Sequence, residues 1–336
     1  MNRFSFVDCT SVEDALGHLG AGTEVKAGGI DLLDRLKEGL DQPEKLVNIR
    51  NIQGLSGMEE SADGLRIGPL MTLAEVSEHE TVKRKYTALA HATAHAATPQ
   101  IRNSATIGGN LLQRPRCWYF RHLEFPCRRK GGEICFAQDG ENQYHAIFDN
   151  HTCAIVAPST AAVPLIALNA QLELTSKDGK RTVALEKFYL TPEQNVTREH
   201  SLRPGELLTA ILVPATPPGT KSAYQKYAEK DSHDWPIADA AVVLQMDGNT
   251  VRKASIILGA AAPIPMRATA AEALLNGKVL NEQLARQAAK AAMQGATPLA
   301  HNGYKVGLFH TAIYRTVLFA GGLRGRDRSA VGGEVV

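Results

Sequence analysis

The sequence predicts an α+β fold in more than one domain, and three observations carry that expectation. The first fifty residues alternate short apolar strands with helical segments, the order of a βαβ unit. Further on the pattern becomes that of hairpins, with Ala62-Asp63-Gly64 as one turn and Asp247-Gly248-Asn249 as a short link between two apolar runs. Between these regions lies Pro214-Ala215-Thr216-Pro217-Pro218-Gly219, the strongest boundary signal in the chain. A length of 336 residues is enough for two or three cores.

Taken in order, residues 4–7 read as a strand. Ser11-Val12-Glu13-Asp14 resembles a capping box, Asp standing for Glu, and opens a helix over 12–19. A strand at 23–27, a helix at 31–40 and a strand at 45–49 complete the unit, so its strands should be parallel and its crossover right-handed. A hairpin follows over 54–69, then helices at 73–78 and 82–97. The second helix carries His91 and His95 at the spacing of a helical metal pair. No third ligand or acid accompanies them, which favours a plain helix surface. Strands are expected at 154–156 and 171–176 around a partly helical 158–170, with a turn at 177–180 and a strand at 207–213. Strands at 223–227, 238–246 and 251–259 should form an antiparallel sheet, followed by helices at 266–275, 281–293 and 304–319. The glycine- and arginine-bearing tail, 323–336, is expected to be flexible.

Composition excludes several classes. With 44% hydrophobic and 21% charged residues, this is an ordinary soluble globular chain. A net charge of +2 is too small to argue for nucleic acid or an anionic membrane as partner. No apolar run is long enough for a membrane span, and the N-terminus lacks the apolar core of a secretory signal. A cytoplasmic location is expected, or a periplasmic one by co-export with a signal-bearing partner. No triad or paired-carboxylate constellation is present, so no catalytic residue is assigned.

Two glycine turns stand out. Lys26-Ala27-Gly28-Gly29-Ile30-Asp31 falls where a strand ends and a helix begins, and adjacent glycines let backbone N–H groups approach an anion. Thr106-Ile107-Gly108-Gly109-Asn110 adds a hydroxyl and an amide to a second such turn. One Gly-Gly pair is usually only a tight turn; two in one domain make a diphosphate cradle credible. Neither Gly-x-Gly-x-x-Gly after the first strand nor a P-loop is present, which disfavours both of those architectures.

Four of the five cysteines, Cys117, Cys127, Cys135 and Cys153, fall in one region, and Cys9 reads as a small buried hydrophobe. Their wide spacing lacks the paired knuckles of structural zinc, yet a loop-rich segment can bring four thiolates to one point. A four-thiolate iron–sulfur cubane suits that arrangement. Around the first two cysteines lie Arg114, Arg116, Arg121, Arg128, Arg129 and Lys130 against one acid, Glu124, and these cations would offset a buried cluster's negative charge. Zinc, or a surface loop of free thiols with a solvated basic face, stays open on the residues alone.

At this point the chain resembles a known family. Lys26-Ala27-Gly28-Gly29-Ile30-Asp31-Leu32, Ile101 to Leu111, Pro158-Ser159 with Pro164-Leu165, Tyr224-Gln225-Lys226 and Leu258 to Arg267 are similar to the FAD-binding medium subunit of molybdenum hydroxylases, the xanthine and carbon monoxide dehydrogenase family. Gln113-Arg114-Pro115-Arg116-Cys117 resembles the subtype whose flavin subunit also holds a [4Fe–4S] cluster, as in periplasmic aldehyde oxidoreductases and 4-hydroxybenzoyl-CoA reductases. The resemblance implies a two-part FAD-binding domain of the PCMH (vanillyl-alcohol-oxidase) type over 1–218, parts 1–53 and 54–218, with a cysteine-rich loop at 113–153. A smaller α+β domain over 219–322 would follow.

The resemblance further implies that Lys26, Ala27, Gly28, Gly29, Ile30, Asp31, Leu32 and Leu33, with Thr106, Gly108, Gly109 and Asn110, hold the FAD pyrophosphate. Ser159 and Thr160 would face the nucleotide, Lys226 would approach from the C-terminal domain, and the four cysteines would ligate the cluster. Ile30 stands where the family often has Thr or Ser, and Thr160 where Asp is usual, which removes two polar contacts. The implied function is electron transfer in a heterotrimer that oxidises aldehydes. Electrons would pass from a large molybdenum-cofactor subunit through a small subunit with two [2Fe–2S] clusters to this chain's FAD, and on to an external acceptor. A stand-alone flavin oxidoreductase of the same fold, or a zinc-stabilised scaffold without flavin, are the rivals.

Overall fold

The computed structural model describes residues 1–230 and 233–323; the expected flexible tail lies, but for its first residue, outside the described residues. Its first layer is a small parallel sheet. Strand β1 (Ser5–Asp8), helix α1 (Val12–His18), strand β2 (Thr23–Lys26), helix α2 (Ile30–Lys37) and strand β3 (Lys45–Asn48) assemble in the order β1-β3-β2, with both pairings parallel. Ser11 caps α1 by accepting from the Asp14 N–H at 3.0 Å, while the Asp14 carboxylate accepts from the Thr10 N–H at 3.2 Å. Cys9 is buried in the core beneath this sheet, as the isolated cysteine suggested.

The second layer is a five-stranded sheet in the order β4-β5-β8-β6-β7, every pairing antiparallel. It comprises β4 (Met58–Ser61), β5 (Gly64–Ile67), β6 (Gln171–Ser176), β7 (Gly179–Ala184) and β8 (Leu207–Pro214). Helices α3 (Leu73–Glu78), α4 (Glu80–Lys85), α5 (Thr87–Ala94), α6 (Pro99–Arg102), α7 (Ile107–Leu112), α8 (Trp118–Arg121), α9 (Ala162–Ala167) and α10 (Leu185–Phe188) lie between or beside these strands in sequence. The expected single helix over 82–97 is two, because Tyr86 leaves helical geometry (φ −126°, ψ 48°) where its ring is buried and its hydroxyl donates to the Pro214 carbonyl. Residues 154–156 form no strand. The strand at 179–184 was not expected; its alternation is of polar residues at the sheet edge.

The third layer is an antiparallel sheet of β9 (Thr220–Tyr227), β10 (Ala238–Asp247) and β11 (Thr250–Gly259), extended by the two-residue β12 (Met266–Arg267) and β13 (Lys278–Val279). Helices α11 (Thr269–Leu275), α12 (Glu282–Ala292) and α13 (Tyr304–Gly321) share its core. The alanine face of α12 (Ala285, Ala288, Ala289, Ala292) allows close approach, and Phe309, Ile313 and Val317 of α13 fill the space above the strands.

The cysteine-bearing segment is held from two sides. Ile147 and Phe148 are buried in this third core, and both of their N–H groups donate to the Ala261 carbonyl, at 2.9 and 3.1 Å. Arg116 and Arg121 tie the other side to Asp31 of α2.

Candidate cofactor sites

The two glycine turns meet on one wall of a cavity of about 1100 Å³. A Cβ built at Gly28 would overlap the Ser104 carbonyl oxygen, so the first turn is packed directly on the chain that leads into the second. Gly29 is left-handed (φ 82°), and no side chain caps α2, whose first N–H groups open beside the cavity lining. In the second turn Thr106 caps α7 by accepting from the Gly109 N–H at 3.1 Å. A Cβ at Gly108 would lie 2.7 Å from the Pro69 Cβ, again a demand of packing.

Of the residues singled out in sequence, Ala27, Gly28, Gly29, Ile30, Asp31, Leu32, Thr106, Gly108, Gly109, Asn110, Thr160 and Lys226 line this one cavity. Lys26, Leu33 and Ser159 stand outside the lining. Lys26 turns its ammonium to the Asn48 side chain at 3.3 Å. The Ser159 hydroxyl donates to Asn110 Oδ1 at 2.8 Å and accepts from the Ala162 N–H at 3.2 Å, which fixes the second turn against α9. Lys226 reaches across from β9, donating to the carbonyls of His95 at 2.8 Å and Asp234 at 3.0 Å. His95 Nδ1 bonds the His91 carbonyl at 2.7 Å, and the two rings lie edge to face at 6.5 Å.

Behind Thr160 lies a carboxylate that sequence reading missed. The Tyr224 hydroxyl bonds Thr160 and donates to Asp239 Oδ2 at 2.9 Å. Asp239 is 1% exposed, its Oδ1 has no partner, and burial pushes its pKa up to about 7. An acid in the apolar run Ile237-Ala238-Asp239-Ala240-Ala241 was the available signal. Also missed was the 197–208 segment, which contributes to the lining with Arg198, Arg203 and a half-buried His200 stacked on Phe188 at 5.1 Å. Burial lowers the pKa of His200 to about 4.

The four clustered cysteines line a second, small pocket together with Tyr119, Phe120, Phe136 and His145. All are free thiols. Backbone N–H groups point at the sulfurs: those of Tyr119 and Phe120 at Cys117, those of Ala137, Gln138 and Ala154 at Cys135, and that of Ile155 at Cys153. Burial raises the Cys117 pKa to about 12. The Cys153 thiol donates to Cys135, which lowers the Cys135 pKa and raises that of Cys153.

The basic residues correct the sequence reading in part: Arg128 and Arg129 line the cysteine pocket, but four of the six cations pair with acids distant in sequence. Arg116 and Arg121 both contact Asp31 Oδ1 at 2.7 Å and reach Asp34, and Arg35 contacts Asp31 Oδ2 at 3.1 Å. Arg114 and Arg129 share Glu199, at 3.0 and 2.6 Å. Arg128 donates to the carbonyls of Glu133 and Thr152, and Lys130 to that of His122. The acids come from α2 and from residue 199, far away in sequence, so the local count of six cations against one acid does not describe the folded site. The arginines are chiefly ties between the cysteine segment and the flanks of the large cavity. For Asp31, burial pushes the pKa up, but Arg116 and Arg121 outweigh it and the net direction is down.

Residues 2–216 match the family described as the FAD binding domain in molybdopterin dehydrogenase, and residues 206–320 that of the CO dehydrogenase flavoprotein C-terminal domain. The chain belongs to the FAD-binding subunits of the molybdenum hydroxylases. It is 35% identical over 289 residues to the aldehyde oxidoreductase FAD-binding subunit PaoB of Escherichia coli K12, covering 85% of this chain and 87% of that one. It is 29% identical over 299 residues to the carbon monoxide dehydrogenase medium chain of Hydrogenophaga pseudoflava, 88% of each. The carbon monoxide dehydrogenase structure from that organism superposes with a TM-score of 0.75 at 29% identity over 96% of this chain and 98% of that one. The chain is therefore an oxidoreductase component with an FAD-binding domain, the medium subunit of a multi-subunit enzyme. The α+β expectation and the family resemblance both hold. Among the described residues no helix is long and apolar enough to cross a membrane.

Proposed function

We propose that this chain binds FAD in the large cavity and a [4Fe–4S] cluster on Cys117, Cys127, Cys135 and Cys153, as the electron-transfer subunit of an aldehyde-oxidising molybdenum hydroxylase. The carrying observation is that two glycine turns far apart in sequence line one cavity of about 1100 Å³, large enough for a dinucleotide. Ala27 to Leu32 and Gly108 to Asn110 would hold the diphosphate through backbone N–H groups. Thr160, backed by Tyr224 and Asp239, would offer a hydroxyl where the family has a carboxylate. Lys226, fixed on two carbonyls, would bring positive charge from the third layer. When bound, these groups supply one- and two-electron redox chemistry. The protein's part is to hold them, exclude water and tune their potentials.

The partners would be a large molybdenum-cofactor subunit and a small subunit with two [2Fe–2S] clusters, with delivery to an external acceptor. The aldehyde assignment rests on the likeness to the PaoB subunit. A two-domain division at 218/219 is part of this reading, supported by β8 belonging to one sheet and β9 to the next.

The cubane is preferred to zinc because the four cysteines lack the closely paired knuckles of structural zinc. The N–H groups aimed at sulfur suit the buried thiolates that a four-thiolate cluster would have. Cys127→Ser tests the ligand set: iron should fall from four per chain while flavin stays. Unchanged iron content would defeat the assignment.

A further inference from the structure

His145 lies between the third and fourth cysteines, is 4% exposed, and places Nε2 3.2 Å from Cys117 Sγ. Its Nδ1 is buried without a partner. A neutral imidazole has one N–H. On Nδ1 that proton would be an unpaired buried donor, and a lone pair would face the sulfur. On Nε2 it meets the sulfur. The ring is not free to turn away: Trp118 packs edge-on at 5.3 Å, and Tyr119 lies 6.2 Å off.

Its backbone is held from the third layer. The His145 carbonyl accepts from Lys305 Nζ at 2.9 Å and from Asn302 Nδ2 at 3.2 Å, and its N–H donates to the Asn142 carbonyl at 3.0 Å. Lys305, in α13, has no exposed surface and also donates to the Ala260 carbonyl at 2.7 Å. A fully buried amine thus helps to hold the histidine's backbone beside Cys117.

We propose that His145 is a positioning residue that donates its Nε2–H to the Cys117 sulfur and thereby raises the reduction potential of the cluster bound there. The inference rests on the cluster reading given above. A donor to a ligating sulfur favours the more negative, reduced form. One electron enters the cluster, and the imidazole stays neutral and keeps its proton.

The test is an anaerobic redox titration of the assembled enzyme, followed by electron paramagnetic resonance, with iron counted per chain. His145→Leu should keep four irons and make reduction about tenfold less favourable, about 59 mV lower for one electron. His145→Gln, which retains an N–H donor, should recover most of the loss. An unchanged midpoint in His145→Leu overturns the proposal. Loss of iron in both variants with flavin retained also overturns it, because His145 would then be a ligand. Wild-type enzyme without iron overturns the cluster reading and this inference with it. Should the variants not fold, wild-type protein with ¹⁵N-histidine gives the answer. A weak nitrogen coupling to the reduced cluster is expected; no coupling, or one as large as a direct ligand gives, overturns it.

Discussion

Asp31 is the residue on which both sites converge: it lines the large cavity and meets Arg35, Arg116 and Arg121. Its side chain is 13% exposed, so the pairs are poorly screened. Asp31→Asn leaves three guanidinium groups short of a carboxylate and should cost about 3 kcal/mol near neutral pH, measured by urea unfolding. Because the folded-state pKa is depressed, the contribution is present above the ordinary value of 3.8 and is lost as pH falls through the depressed one. The difference between wild type and variant should therefore shrink below about pH 4. Gly28→Ala acts by shape. Its new methyl would overlap the Ser104 carbonyl, so the turns must part, with flavin lost on purification and stability lower by about 1–3 kcal/mol. The glycine turns and cysteines were legible in sequence because each works through its own local chemistry. Asp239, Glu199 and the destinations of the arginines were not, since their partners lie far along the chain.

At the level of elements, α13 supports the cysteine segment through one side chain. Lys305→Met would leave the Ala260, Tyr144 and His145 carbonyls without that donor. The expected cost is about 2 kcal/mol, a melting temperature lower by roughly 4–8 °C, with faster loss of iron to a chelator. Unchanged iron release and melting would remove Lys305 as a brace. The strands and helices that sequence reading found are those with a clear apolar period, such as β10, β11 and α12. The break at Tyr86 and the polar edge strand β7 escaped because tertiary contacts, not local pattern, set them. Residues 154–156 have the apolar look of a strand but are held by irregular contacts, among them the Ala154 carbonyl to the Ala146 N–H at 2.9 Å.

Across the whole molecule, the cysteine segment is clamped between the first layer, through arginine–carboxylate pairs, and the third, through Ile147, Phe148 and Lys305. The large cavity likewise takes its walls from all three layers. Two candidate cofactor sites built on shared supports would suit the proposed electron-transfer role. The most direct measurement is cofactor content of the chain purified without oxygen: flavin released by acid, iron and zinc by elemental analysis, and the resonance spectrum after reduction. One FAD and four irons per chain with a cubane signal are expected. Stoichiometric zinc, or protein that carries neither flavin nor iron, would contradict the account.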